Sequence, residues 1–375
     1  MIYLDNAATT FPKPLCVYEE INKCIRKYCG NPGRSSHKLS LKCAEKIYET
    51  RELIANMFNG EPENVVFTLN TTYAINIAIK TLLKPGTHVL ISDIEHNSVL
   101  RPIYKLSYEK AITYDIFDSS GSDEMILNNI KSKVKNNTSM IACTHMSNVG
   151  SKVLPIRKIG RLCKENDITF VVDAAQSAGI YDINVTDMNI NALCFPGHKG
   201  LYGPQGVGVI LFNSKEPTRT LIEGGTGINS IDRNMPSFLP EMLEAGTLPT
   251  PSIVGLCEAL KWLKTLNIGK IRSHEEELYD ICKNFLLENK NIKLYLFNNE
   301  SGNTLLFNIM NKSSATVAAE LDKYDICVRS GFHCAPMTHQ KLNTGENGAV
   351  RISFSVFNTK NEVYDLCDKI NHISK

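Results

Sequence analysis

A chain of 375 residues with 43% hydrophobic and 21% charged residues has the balance of a globular protein large enough for two or three lobes. A formal net charge of +2 gives no electrostatic reason to bind nucleic acid or an anionic membrane. No segment approaches the roughly 20 apolar residues that span a bilayer, and MIYLDNAATT lacks the basic and apolar regions of an export signal, so a cytoplasmic protein is expected.

The first 13 residues read as an extended lead-in rich in turn formers. A helix is predicted over 14–28, a loop over 31–37 and a long amphipathic helix over 39–58. Alternation then sets in. Strands are predicted over 65–67, 88–92, 112–117, 139–144, 169–173, 192–195 and 207–212. A helix opening on Thr71 and Thr72 follows the first, with Ile75, Ala78, Ile79 and Leu82 at helical spacing. Further helices are predicted over 97–109, 123–134 and 156–165. Repeated βα units give a largely parallel sheet with helices on both faces. The turn between the last two strands is too short for a crossover helix, so the last strand is expected to run antiparallel.

Past Thr247 the character changes. A Pro-containing break over 248–252 leads into one long helical region over 253–289. Strands over 293–297, 304–309, 327–330 and 350–354 and helices over 315–323 and 359–373 follow. This pattern reads as a smaller α+β domain over 249–375, beside a large domain over 14–248 and joined by the N-terminal segment 1–13.

In open α/β sheets the ligand sits beyond the carboxyl ends of the strands. Those ends carry Thr71 and Thr72, then His96, Asn148, Asp173 and Gln176, and finally His198 and Lys199. A helix N-terminus takes a phosphate dianion. An imidazole stacks on a ring, a carboxylate holds a pyridine nitrogen protonated, and a lysine condenses with an aldehyde. Glycines at 200, 203, 206 and 208 leave little bulk around Lys199, and burial suits a lysine that must work as a free amine. The tenant these groups share is pyridoxal 5'-phosphate (PLP). Twelve cysteines without a CxxC pair give no zinc spacing and no metal is expected. Most read as small buried hydrophobes. Cys334, in the polar stretch RSGFHCAP beside Arg329 and His333, has a setting that favours a reactive thiol.

The chain resembles the class V aminotransferase family, in its cysteine desulfurase and selenocysteine lyase branch. The motifs YLDNAATT, VVDAAQSAG, PGHKGLYGPQGVG, EAGTLPTPS, RSGFHCAP and RISFSVFNT carry the likeness nearly end to end. The resemblance implies PLP fold type I: a seven-stranded, mostly parallel sheet, helices on both faces, and a smaller α+β domain. It implies that Lys199 holds PLP covalently, Asp173 pairs with the ring nitrogen and Gln176 with the ring hydroxyl. His96 would stack on the ring and move protons, and Thr71, Thr72 and His198 would bind the phosphate. Thr247 would reach the phosphate of a partner subunit, so a homodimer with a shared site is implied. Asn148 would approach ring or substrate, Arg351 would grip the substrate carboxylate, and Cys334 would be the nucleophile. Asn6, Ala7 and His37 match positions near the mouth of the site. The implied reaction takes sulfur from L-cysteine, or selenium from L-selenocysteine, to give L-alanine and a persulfide on Cys334. That sulfur passes to an acceptor protein, as in iron–sulfur cluster assembly.

Only 17 positions separate Cys334 from Arg351, which resembles the second group of desulfurases, with a short cysteine loop. Phe332 stands where that group often has a second histidine, and Pro196 where a phosphate-binding serine is usual. Gly200 and the GGTGIN stretch at 224–229 resemble a less characterised subgroup. The alternatives are a transaminase of the same family acting on a small amino acid such as alanine or serine, which has no need of Cys334, and a non-enzymatic scaffold for sulfur-trafficking or tRNA-modifying partners.

Overall fold

The apolar runs of the first 212 residues alternate in their two faces, and this alternation builds the main sheet. The computed structural model describes residues 1–33, 36–215, 217–297 and 302–375; Arg34 and Ser35 of the predicted 31–37 loop lie outside them. In chain order the elements are β1 (Ile2–Tyr3), α1 (Leu15–Lys27), α2 (Lys38–Phe58), β2 (Val65–Thr68), α3 (Thr71–Leu82), β3 (His88–Ser92), α4 (Asn97–Tyr108), β4 (Thr113–Phe117), α5 (Asp123–Lys133), β5 (Thr138–Thr144), α6 (Ile156–Glu165), β6 (Thr169–Asp173), β7 (Ala192–Pro196) and β8 (Gly208–Phe212). There follow α7 (Thr250–Thr265), α8 (Ile268–Glu288), β9 (Ile292–Tyr295), β10 (Thr304–Ile309), α9 (Ser314–Asp322), β11 (Ile326–Cys327), β12 (Arg329–Gly331), α10 (Pro336–Lys341), β13 (Ala349–Ser353) and α11 (Lys360–Ile373).

Seven strands form one sheet in the order β2-β8-β7-β6-β5-β3-β4. The pairs β7–β6, β6–β5, β5–β3 and β3–β4 are parallel, and β8 runs antiparallel to both neighbours, as the short turn before it requires. Successive side chains of a strand point to opposite faces. Leu90, Ile141, Phe170, Val172, Leu193 and Phe195 therefore enter one core with α2, α5, α6 and α7, while Val89, Ile91, Met140, Ala142 and Val171 enter a second with α3 and α4. Both faces are covered, as a parallel sheet needs.

A four-stranded antiparallel sheet, β12-β13-β10-β9, packs against α8, α9 and α11 around a separate core that includes Leu278, Phe307, Val350 and Leu366. The N-terminal segment belongs to this layer. β1 pairs in parallel with β11, and Leu4 is fully buried in the same core.

Three local readings change. The single helical region expected over 253–289 is two helices, because the Asn267 side chain accepts from Gly269 N at 2.8 Å and Lys270 N at 3.4 Å and so starts α8 afresh. The cap of α3 is Asn70, which accepts from Tyr73 N at 3.2 Å, and not Thr71 or Thr72. α10, which begins two residues after Cys334, was not expected from periodicity and is only six residues long.

Gly208 ties sheet to site. It opens β8 opposite both Thr68 and Pro196, and a Cβ there would lie 2.3 Å from the backbone carbon of Asn70. The close approach of β8 to the start of α3 is thus possible only for glycine. Gly208→Ala is expected to cost about 1–3 kcal/mol of stability through overpacking, read by urea denaturation. A loss below about 0.5 kcal/mol, the range of neutral surface changes, would show that the backbone there gives way freely.

Candidate active site

The carboxyl ends of the parallel strands meet at a cavity of about 230 Å³. Its lining includes Ala7, Thr71, Thr72, His96, Asn148, Asp173, Gln176, His198, Lys199 and Arg351. The separate strand ends singled out above are therefore brought to one place. Four expected residues lie outside this lining. Asn6 is a buried brace, donating to Ser353 O at 2.9 Å and Asn358 Oδ1 at 3.2 Å. His37 is exposed, and its Nδ1 accepts from Ser40 N at 3.2 Å, so it caps α2. Thr247 is exposed, its hydroxyl accepting from Asn31 Nδ2 at 3.3 Å. Cys334 is also exposed and is reached through Arg329, which lines the cavity and has Nη2 3.9 Å from Cys334 Sγ.

Lys199 is half-buried and opens onto the cavity. Among the described residues its amine has no hydrogen-bond or ion-pair partner. Loss of water around the amine pushes its pKa down to about 8; the charge of Asp173 opposes this, and Arg351 and Arg329 add to it. The turn that carries it is clamped by the N-terminal segment. His198 O accepts from Thr10 N at 3.1 Å, Thr9 Oγ1 at 3.1 Å and Lys13 Nζ at 2.7 Å. Burial pushes Lys13 down to about 7. Gly200 sits where a Cβ would meet Ala178 O at 2.4 Å, so the residue after the lysine must be small.

Asp173 ends β6 and is buried; burial pushes its carboxyl pKa up, against a hydrogen bond from Ala175 N at 2.9 Å to Oδ1. Ser98 Oγ donates to Oδ2 at 3.4 Å. The same serine's N–H donates to His96 Nδ1 at 3.0 Å, which makes His96 the cap of α4 and leaves its Nε2 to carry the ring proton. Burial pushes His96 down to about 4 and His198 to about 3, so both imidazoles are neutral. Gln176 Nε2 donates to Ala7 O at 3.0 Å. Arg351 is buried: its Nη2 donates to Asp5 Oδ1 at 2.7 Å, and its Nη1 donates to Asn148 O at 3.1 Å.

The donor set fits PLP. His198 Nδ1, Asn148 Oδ1 and Arg351 Nε are buried without a hydrogen-bond partner among the described residues, and unpaired buried polar atoms are costly unless a ligand completes them. The α3 N-terminus offers the N–H groups of its first turn to an anion. The cavity thus joins an anion site, a carboxylate and a free amine. Ser98, Asp5 and Lys13 escaped the sequence reading, since each reaches the site through a partner remote in the chain: Asp173, Arg351 and His198 O.

Cys334 is held in an unusual backbone. Both His333 and Cys334 have positive φ, 50° and 57°, a conformation that costs a non-glycine residue on the order of 1–2 kcal/mol. Asn97 N donates to Cys334 O at 2.8 Å and Asn148 Nδ2 donates to His333 O at 2.7 Å, so residues at the strand ends hold the pair.

Known proteins share this architecture. The chain matches the family described as Aminotransferase class-V over residues 2–366. It is 32% identical to a probable cysteine desulfurase of Pyrococcus abyssi, covering 97% of this chain and 92% of that one. It is also 32% identical to one of Methanothermobacter thermautotrophicus, covering 100% and 94%. Among solved structures, the apo cysteine desulfurase of Thermococcus onnurineus NA1 superposes with a TM-score of 0.90 at 30% identity, covering 100% of this chain and 94% of that one. The cysteine desulfurase CsdA of Escherichia coli gives 0.88 at 25%, covering 99% and 94%. The expected PLP fold type I, with its seven-stranded, mostly parallel sheet and helices on both faces, is the fold found. By motif, fold and cavity, this chain belongs to the class V aminotransferase family, whose members depend on PLP.

Proposed function

We propose that this protein is a PLP-dependent cysteine desulfurase that converts L-cysteine to L-alanine and leaves the sulfur as a persulfide on Cys334. The observation that carries this reading is an exposed thiol 3.9 Å from an arginine that lines the lysine cavity. The relatives' names support it.

Lys199 would hold the cofactor, Asp173 would face its ring nitrogen, Gln176 its ring hydroxyl and His96 its face. Thr71, Thr72 and His198 would take the phosphate. Bound there, PLP supplies an electron sink for the substrate's Cα. Arg351 holds the substrate carboxylate: Asp5 and Asn148 O fix its Nη groups, and its unpaired Nε faces the requirement for a carboxylate. Lys199, with its amine pushed toward neutrality, takes and returns the Cα proton. Asn148 would orient ring or substrate, and Ala7, which lines the cavity, would border the entrance with Asn6 behind it. At Cys334 an S–S bond forms as the substrate's Cβ–S bond breaks. The bonding pair stays with carbon, which takes a proton and becomes the methyl group of alanine, so the exchange is redox neutral. L-selenocysteine is a second substrate by the same route.

The working unit is a homodimer in which Thr247 reaches the partner's phosphate. Its exposure, together with that of Leu221, Ile222, Ile231 and Phe238, supports this: large apolar side chains crowd one solvent-facing segment. The short ordered connection from Cys334 through α10 to β13 supports transfer of the persulfide sulfur to an acceptor protein. No helix among the described residues is long and apolar enough to cross a membrane, and twelve free thiols support a reducing cytoplasm. The chain divides into a large and a small domain, with α7 packed into the core of the large one.

Cys334→Ala is expected to keep the cofactor's absorbance and lose about 100-fold or more of cysteine-dependent alanine formation; a transaminase would keep its full rate. Covalent PLP uptake by the cofactor-free protein should also report on Lys199. Only the neutral amine reacts, so the rate should climb about tenfold per unit below pH 8 and level off above it; a flat profile would mean the amine is not the titrating group. Sedimentation should give twice the monomer mass, and a monomer that binds PLP as tightly would remove Thr247 from the site.

A further inference from the structure

Beneath Cys334 lies a row of buried polar groups that the proposed chemistry does not use. His333 Nε2 is 3.4 Å from Arg329 O, and His333 Nδ1 is 3.0 Å from His339 Nε2. His339 Nδ1 is in turn 2.9 Å from Thr344 Oγ1. All three side chains are buried. The two imidazoles stack, with centroids 5.1 Å apart and planes 19° from parallel. Phe332, exposed to solvent, sets its ring edge-on to His339 at 5.4 Å and closes the row from outside.

The order of protons in this row is fixed at one end. A carbonyl oxygen only accepts, so His333 Nε2 carries the proton facing Arg329 O. In a neutral ring His333 Nδ1 is then a lone pair, which needs the Nε2–H of His339. His339 Nδ1 must accept in its turn, and the Thr344 hydroxyl donates to it. Burial keeps both rings neutral, pushing His333 down to about 2 and His339 to about 4, with the charge of Arg351 acting in the same direction. Each ring thus has one tautomer, and the Thr344 hydroxyl, which also lies 3.5 Å from His339 O, donates to the nearer Nδ1.

The row ends on the two residues that matter for sulfur transfer. Arg329 contributes its carbonyl to the row and its guanidinium to the neighbourhood of Cys334 Sγ. His333 is the first member of the left-handed pair. Among the described residues the Cys334 side chain has no hydrogen-bond partner beyond that guanidinium, so its direction is set by the backbone on either side. We infer that His339 and Thr344 are positioning residues for Cys334: through a one-way hydrogen-bond chain they lock His333, and with it the strained backbone that presents the thiol beside Arg329. The inference rests on the reading of Cys334 as the sulfur acceptor. It also gives Phe332 a use: at the position where the second group of desulfurases often has a second histidine, an aromatic ring covers a histidine row that runs inward.

The test combines spectroscopy with three variants of the holoenzyme. Long-range ¹H–¹⁵N spectra of the histidine-labelled protein should show His333 and His339 as neutral Nε2–H tautomers, assigned by the loss of one signal and the shift of the other in His339→Phe. An Nδ1–H tautomer or a charged ring at neutral pH in either overturns the chain. His339→Phe should lower kcat for alanine formation about tenfold or more, with KM for cysteine changed less than about threefold. Alkylation mapped by peptide mass should leave the buried Cys143 and Cys163 unlabelled. His339→Gln, which keeps an N–H toward His333, should stay within about threefold of the unchanged protein. Equal losses in the Phe and Gln variants, or none in Phe, overturn the inference. If His339→Phe exposes the buried thiols, Thr344→Val decides: a fall in kcat of about threefold with the His339 signal shifted upholds the chain, and an unchanged rate and spectrum overturn it. Cys334→Ala keeps the two readings apart, since full turnover in that variant removes the role of Cys334 while the tautomers stand or fall on their own.

Discussion

An amine withdrawn from water without an ion pair to compensate is the constraint around which this fold is arranged. Desolvating a lysine is costly in proportion to its charge, and the cost falls when the amine is neutral. The fold keeps Lys199 in that condition by surrounding it with opposed influences. Asp173 favours its charge, whereas Arg351, Arg329 and the lack of water disfavour it. The position of the amine therefore has to be set by the backbone. Four donors from the first 13 residues converge on His198 O, and glycine is required just after the lysine to let that turn close against Ala178.

The same N-terminal segment links the two sheets. Ile2 and Tyr3 extend the small layer through β11. A few residues later, Asp5 pairs with Arg351 at 2.7 Å and Ala7 N donates to Ser353 Oγ at 2.8 Å, both on β13. Thr9, Thr10 and Lys13 then grip the lysine turn. One short strand of chain thus fixes the distance between the arginine of the small layer and the lysine of the large one. On the other side Lys341 is tied to Asp118 at 2.6 Å and also to Asp93. α10, and the cysteine that precedes it, are anchored to the ends of β3 and β4. The cysteine segment is tied down at both ends, by Asn97 and Asn148 on one side and Lys341 on the other.

Much of this was legible because strand ends in a parallel sheet share one edge. Once seven strands are recognised, His96, Asn148, Asp173 and Lys199 have to come together whatever the details between them. What was not legible depends on contacts that periodicity does not encode. Lys13 looks like any lysine in a Pro-flanked turn, and only its distance to His198 O gives it a role. His37 fits a motif but in the fold it caps α2, since a side chain just before a helix finds the free N–H groups of that helix nearest. The break between α7 and α8 was missed because apolar spacing continues across it, and a single Asn267 followed by Ile268 and Gly269 outweighs that spacing. Thr247 and Cys334 fall outside the cavity lining for different reasons: one lies on an exposed face beside Asn31, the other is turned outward by two left-handed residues.

The charges around the cavity divide by residue type in a way that follows from solvation. The permanent positive groups lining the cavity are Arg329 and Arg351, and of the two only Arg351 has an ion-pair partner among the described residues, Asp5. Such a surplus suits ligands that bring their own negative charge, a phosphate at α3 and a carboxylate at Arg351. The imidazoles cannot share in that work. His96, His198, His333 and His339 are all pushed well below their ordinary range by burial, and each extra cation nearby pushes them further. A neutral imidazole has one donor and one acceptor, so its orientation and proton are dictated by a single neighbour. The arginines proposed to attract the substrate also add to the burial that keeps His96, His333 and His339 neutral, and neutral histidines give directional hydrogen bonds in place of charge. Attraction and alignment are assigned to different side chains, and the same electrostatic field enforces both.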